Sequence, residues 1–103
     1  MADGKIYLGD RTIDGCEVTV DGSALDQALD VKVICDDGFE WSYDGAGPAQ
    51  LGLAILADHF GTPEPALRHY EAFTTHVVAN FNNEWEMRTV DIERALSNIA
   101  ATA

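Results

Sequence analysis

Basic residues are scarce in this chain. Two lysines and four arginines stand against 18 aspartates and glutamates, which gives a formal charge of −12 over 103 residues. Direct binding to DNA or RNA depends on lysine and arginine side chains that displace counterions from the phosphates, and adhesion to an anionic membrane also needs basic segments. The composition therefore argues against nucleic acid and against an anionic membrane as direct partners.

Cysteines and long hydrophobic segments are also few. Cys16 and Cys35 lie in segments typical of strands, and the chain has no further cysteine for a disulfide framework or a paired metal-binding pattern. We expect two buried free thiols, because cysteine packs as a small apolar residue. The longest apolar run, residues 51–57, is much shorter than a membrane span. We therefore expect a soluble cytoplasmic protein.

The excess of acidic residues is uneven along a chain that is long enough for one domain. With 103 residues, 47% of them hydrophobic, residues 1–103 are predicted to form a single domain around one core. Residues 1–44 hold 11 acidic and three basic residues, so most of the excess lies in the first half. Such charge serves either solubility and adaptation to salt or a functional acidic surface. The composition leaves both explanations open.

Five short segments have the composition and alternation of β-strands. They are residues 5–8, 17–20, 31–35, 39–43 and 85–88. The first two are predicted to form a hairpin, and a turn at 36–38 is predicted to join the third to the fourth. Residues 23–29 are compatible with a loop or with a single helical turn.

Three helices are predicted from proline, glycine and the apolar spacing. Gly47-Pro48 starts a long apolar helix that ends at Gly61, because proline is tolerated in the first helical turn. A second helix is predicted from Pro63 to about Phe81. A short C-terminal helix carries its apolar residues at Ile92, Ala95, Leu96 and Ile99. Strands followed by helices indicate an α+β fold: an antiparallel sheet of about four to five strands, with two long helices and a short C-terminal helix packed on one face.

Two patterns approach metal sites, and each has a structural explanation that fits better. Segment 10–21 places oxygen-bearing residues and a glycine where a calcium loop has them. Its last ligand is Asp21 instead of glutamate, and Glu17 stands where such loops are apolar, so we expect a hairpin loop. The three histidines lack the close spacing of zinc ligands, and we expect them to lie on half-buried helix faces, at the boundary between core and solvent. They are His59, His69 and His76.

Catalysis finds no support in the residue pattern. No serine or cysteine lies in a nucleophile elbow, so we expect neither an enzyme nor a cofactor. The turn at 45–48 has only weak features of an anion site, because Pro48 lacks a donor and Asp44 adds repulsion. Gln50 is the one polar residue in the apolar first turns of the helix; it either satisfies a nearby backbone group or contacts a partner, and we favour the first.

The acidic residues offer the remaining candidate site. Glu40 and Asp44 are predicted on one outward strand edge, and Glu84 and Glu86 are predicted to project together from the last strand. Same-face neighbours on a strand are about 6.6 Å apart, close to the phosphate spacing along a nucleic-acid strand, on the order of 7 Å. A rigid edge of carboxylates would therefore fit a basic groove built for DNA or RNA. The predicted partner-binding residues are Asp36, Asp37, Glu40, Asp44, Glu84 and Glu86.

One segment resembles a known family. The run Phe39-Glu40-Trp41-Ser42-Tyr43-Asp44-Gly45-Ala46-Gly47-Pro48-Ala49-Gln50-Leu51 is similar to the F-x-W-x-Y-x-G-x-G-P-A-Q-L core of an uncharacterised domain family of small bacterial, archaeal and phage proteins. The resemblance implies the order strand, helix, helix, tryptophan-containing strand and terminal helix. It implies no activity and no catalytic residue.

Together these features predict a small acidic inhibitor, carried by a phage or mobile element, that binds and blocks a basic nucleic-acid-handling protein. In size and charge it is similar to anti-CRISPR proteins and nucleic-acid mimics. The alternative is a non-enzymatic helper domain that binds a partner through an apolar groove and is acidic only for solubility or salt adaptation. Clustered carboxylates favour the first, and a contiguous exposed apolar patch favours the second.

Overall fold

The computed structural model describes residues 4–102, which form one four-stranded antiparallel sheet and three α-helices. The strands are β1 (Ile6–Thr12), β2 (Gly15–Val20), β3 (Ser23–Ala24) and β4 (Glu84–Arg88). The helices are α1 (Ala46–Phe60), α2 (Pro63–His76) and α3 (Thr89–Thr102). The strand order is β3-β2-β1-β4, so the last strand lies beside the first. The predicted α+β fold is confirmed.

β1 and β2 form the predicted hairpin, closed by a two-residue loop. Thr12 and Gly15 are the last paired residues, and the Thr12 hydroxyl donates a 2.9 Å hydrogen bond to the Gly15 carbonyl. Gly15 adopts a φ of 121°, which residues with a Cβ rarely adopt. Segment 10–21 is therefore a hairpin and not a calcium loop.

The sheet has one buried face and one exposed face. Tyr7 and Gly9 of β1 and Trp85 and Met87 of β4 are buried, whereas the residues between them are exposed. The Tyr7 hydroxyl donates a hydrogen bond of 2.5 Å to Asp58 of α1, which shows that the buried face is the one that packs on the helices. Period-two alternation of this kind is typical of an antiparallel sheet with one solvated face.

The two strands predicted at 31–35 and 39–43 are wrong, because both segments are irregular. Most of their apolar residues pack against the core, although Val33 and Tyr43 are exposed, so the β-branched and aromatic composition reflected burial more than strand pairing. Ser42 adopts a φ of 81°, and it is bonded through its N–H to the Val78 carbonyl and through its hydroxyl to the Phe81 carbonyl. The backbone groups of this segment thus find partners outside a sheet.

The Gln50 side chain binds the backbone of residues 27–35, which lead into this irregular segment. Its side chain is fully buried in the first turns of α1. Its Oε1 accepts hydrogen bonds of 2.7 and 3.0 Å from the backbone N–H groups of Ile34 and Cys35, and its Nε2 donates bonds of 2.7 and 3.1 Å to the carbonyls of Gln27 and Lys32. One amide therefore satisfies four backbone groups, as expected for the structural interpretation of this residue.

The helices differ from prediction at their ends. α2 ends at His76, and Val78–Asn80 forms a separate turn of 3₁₀ helix, so the predicted end near Phe81 is wrong. The Asn80 side chain donates to the His76 carbonyl and satisfies the freed end of the helix. α3 is a 14-residue helix that begins directly after β4 and is longer than expected. At its start Asp91 accepts a hydrogen bond from the Arg88 N–H.

An aromatic cluster forms the end of the core near the hairpin loop. The rings of Trp41 and Trp85 meet edge to face with centroids 5.8 Å apart, and Phe81 stacks on Trp85 at 4.3 Å. The Trp85 ring lies directly over Gly9, where an added Cβ would fall 2.1 Å from its Nε1. β1 therefore needs glycine at this position, since any side chain would displace the ring.

Candidate protein-interaction surface

The exposed face of the sheet, opposite the helices, carries a row of acidic side chains. Asp10 of the central strand β1 is the register partner of Glu17 on β2 and of Glu84 on β4. All three are exposed. We call Glu17, Asp10 and Glu84 the carboxylate row. Within residues 4–102 none of the three takes part in an ion pair.

Electrostatics makes the carboxylate row unfavourable in the free protein. Directly opposite residues in an antiparallel pair have Cα atoms about 4.5–5.5 Å apart, and like charges at such positions destabilise a sheet. Arg88 is the basic residue on the exposed side of β4, and its Nε bonds Glu86 at 2.9 Å, so it is already paired with a carboxylate outside the row. A cationic partner would relieve this repulsion. A surface that is acidic only for solubility has no need to concentrate carboxylates in one row.

We expect Asp10→Asn to stabilise the free protein by about 0.5 kcal/mol at low salt, because the central charge of the row repels both neighbours. Urea unfolding followed by tryptophan fluorescence measures the change. Asp37→Asn removes one charge from an exposed position in the irregular segment and is the matched control. A gain that is absent, or equal in both variants, would contradict the proposed repulsion.

The residues predicted for partner binding fall into three groups. Glu84 and Glu86 are both exposed on the same side of β4, which confirms that they project together. Asp36 and Asp37 are exposed in the irregular segment. Glu40 and Asp44 do not share a strand edge, because no strand exists there, and that prediction is wrong. Asp44 instead accepts a 2.9 Å hydrogen bond from the Thr75 hydroxyl of α2.

Glu40 belongs to a structural clamp around Arg11. The guanidinium donates to the Glu40 carboxylate at 2.9 Å, to the Trp41 carbonyl at 3.0 Å and to the Asn83 side chain at 2.5 Å, and it lies 5.0 Å above the Trp41 ring. Burial raises the pKa of Glu40, but the bonds from Arg11 and from the Trp41 N–H outweigh it and hold the pKa below its usual value. Glu40 is therefore ionised and paired, and we exclude it from the interaction surface.

Asp10 and Glu17 are the acidic residues that the sequence prediction of the site missed. Glu17 begins the second predicted strand, but Asp10 lies beyond the first, residues 5–8, in the segment predicted as a turn, whereas β1 continues to Thr12. Their pairing also depends on the hairpin register, which one extra loop residue would change. The register also explains why Glu84, 74 positions along the chain from Asp10, completes the row.

The histidines and cysteines do not form a metal centre in the described part of the chain. No group of three potential ligands lies together in residues 4–102. His59 is half-buried at the end of α1. Burial lowers the pKa of its imidazole, and the positive charge of nearby Lys5 also lowers it. Cys16 and Cys35 are free thiols, each half-buried, as expected for their disulfide state.

The sheet, its helical layer and its acidic face define a small α+β domain. Over residues 7–98 the chain matches a family of unknown function, DUF6166, and it belongs to that family. Neither a curated protein nor a solved structure matches it. Among the helices in residues 4–102, none has the length and apolar character needed to cross a membrane.

Proposed function

We propose that this protein is a non-enzymatic inhibitor that binds the basic groove of a nucleic-acid-handling protein in the cytoplasm. The observation that supports the proposal is the carboxylate row on the exposed face of the sheet. Glu86 lies beside the row on β4 but is paired with Arg88 at 2.9 Å, so among the described residues the unpaired carboxylates of this face are the three of the row. An inhibitor that acts by occupation needs a rigid charged surface and no catalytic residue.

The spacing of the row supports mimicry of a phosphate backbone. Neighbours in the row are about 5 Å apart across the strands, and the paired carboxylate of Glu86 lies about 6.6 Å from Glu84 along β4. Phosphates along a nucleic-acid strand are spaced on the order of 7 Å. Lysines and arginines arranged for a phosphate backbone would therefore meet carboxylates at comparable intervals. Anti-CRISPR-like inhibition is one form of this activity.

The test is capture of partners by the immobilised protein from nuclease-treated extract of its source cell. The double variant Asp10→Lys/Glu84→Lys reverses the row, and Glu71→Lys reverses an exposed charge on α2 as a control. We expect nucleic-acid-binding proteins on the wild type and on Glu71→Lys, at least about tenfold less on the double variant, and steep loss as salt is raised. A third variant, Asp36→Lys/Asp37→Lys, measures the contribution of the irregular segment.

A captured protein must also lose its nucleic-acid binding when the wild-type chain is added, in a gel-shift or anisotropy assay. Thermal unfolding of each variant shows whether the fold is retained. Equal capture by the wild type and the folded double variant would refute the proposed surface. Captured partners that still bind DNA or RNA in the presence of the chain would refute the proposed inhibition.

A further inference from the structure

A second surface lies on the helical side of the sheet. It is an open groove of about 520 Å³ between the loop that follows β3 and the corner where α1 meets α2. Its apolar floor includes Ala28 and Val31 of the loop and Leu67 of α2. Asp58 of α1 also lines it and is bonded to Tyr7 on the buried face of the sheet. The groove is therefore separated from the carboxylate row by the sheet itself.

The loop that forms one wall of the groove is held in a defined conformation. The Asp26 carboxylate accepts a 2.7 Å hydrogen bond from the Ala28 N–H. The Ala28 carbonyl accepts bonds of 3.0 and 3.2 Å from the N–H groups of Val31 and Lys32. Gln50 binds the Gln27 carbonyl from below. A wall fixed in this way needs little further ordering when a ligand binds, which lowers the entropic cost of binding.

The groove carries unpaired negative charge on its loop wall. Asp26 and Asp30 lie on the loop and Asp58 lies on α1, and none of the described residues that line the groove is basic. Asp58 is already paired with Lys5 at 3.0 Å, so Asp26 and Asp30 supply the carboxylates left for a ligand. The C-terminal end of α1, at Gly61, also borders the groove, and the carbonyl end of a helix favours cations.

We infer that this groove binds a lysine side chain of a partner protein. A lysine combines a flexible aliphatic stem, which suits the apolar floor, with a compact ammonium group, which suits the loop carboxylates and the carbonyl end of α1. The inference rests on the proposed function in one respect, that the partner is a basic protein. It adds a contact on the opposite side of the sheet from the carboxylate row, so the partner must reach around the domain or engage it at two places.

The experiment is a titration of the ¹⁵N-labelled full chain with capped lysine, N-acetyl-lysine N-methylamide, followed by amide chemical shifts. We expect saturable shifts at Ala28, Val31 and Gly61 with a dissociation constant in the millimolar range, typical of a single side chain. Capped norleucine, which keeps the stem without the charge, and capped acetyl-lysine should each bind about tenfold more weakly.

Two charge reversals make the titration specific. Asp30→Lys should weaken the groove shifts about tenfold, whereas Asp10→Lys, with the same change in net charge, should leave them unchanged. The spectrum of each variant reports whether it is folded. Shifts confined to the exposed sheet face, no saturable shifts, or equal effects of both variants would overturn the inference. Tighter binding of 1,5-diaminopentane than of capped lysine would also overturn it, in favour of a free amine.

The two proposals fail separately. If partner capture is lost on Asp10→Lys/Glu84→Lys while capped lysine leaves the groove unshifted, the carboxylate row stands and the groove inference is wrong. If capped lysine saturates the groove while the row-reversed variant captures partners as well as the wild type does, the groove inference is supported and the proposed inhibitory surface is wrong.

Discussion

Replacing Gln50 with leucine is expected to lower the free energy of unfolding by about 3 kcal/mol. The amide is fully buried and satisfies the N–H groups of Ile34 and Cys35 and two carbonyls. Leucine has a similar size but no polar atom, so four backbone groups lose their partners at once, and each unsatisfied buried group costs about 1–3 kcal/mol before water is admitted. Urea unfolding followed by the fluorescence of the two buried tryptophans measures the loss.

The chain contains its own matched control. Gln27 is the other glutamine, and its side chain has no hydrogen bond to another described residue, so Gln27→Leu should change stability by less than about 0.5 kcal/mol. Hydrogen exchange gives a second measurement, because the Ile34 and Cys35 amides should lose protection in Gln50→Leu while amides within α1 keep it. Equal losses in the two glutamine variants, or retained protection at those amides, would refute this role of Gln50.

A methyl group at Gly9 is expected to cost about 3 kcal/mol, at the upper end of what overpacking costs. The new Cβ would lie 2.1 Å from Nε1 and 2.2 Å from Cε2 of Trp85, and the ring has no free space to move into because Phe81 stacks on one side of it and Trp41 meets it edge to face. Thermal or urea unfolding of Gly9→Ala measures the effect.

A double-mutant cycle isolates the cause. Trp85→Leu removes the ring, so Gly9→Ala made in that background should cost at least about 2 kcal/mol less than in the wild type. Strictly additive effects would mean that the cost comes from β1 itself and not from its contact with Trp85. The near-UV circular dichroism of Gly9→Ala should also weaken, since the paired tryptophans lose their fixed geometry.

Several elements could be predicted because their signals are local. The hairpin followed from two alternating runs, the start of the first helix from Gly47-Pro48, and the last strand from the alternation around Trp85. Residues 31–35 and 39–43 were mistaken for strands because burial selects the same residue types as strand pairing. What distinguishes burial from strand pairing is the partner of the backbone N–H groups. Here these groups donate to the Gln50 side chain and to the Val78 carbonyl.

The candidate site was predicted in part for the same reason. Glu84 and Glu86 share a face because alternation within one strand is local. Asp10 and Glu17 joined them only through pairing between strands, and neither the loop length nor the position of β4 beside β1 can be derived from composition. Glu40 does not belong to the site because it is paired with Arg11, and the position of Arg11 depends on the same strand pairing.

Strand β1 lies between β2, the strand that follows it directly in the sequence, and β4, the strand farthest from it in the sequence. β1 pairs with β2 across a two-residue loop, but its other edge is completed by β4, so that Ile6 meets Arg88. During synthesis that edge stays open until residues 84–88 have left the ribosome, and closing so large a loop is slow compared with forming the helices. The acidic surface that Glu84 completes therefore forms only after β4 has been made, and a product truncated before residue 84 would lack it.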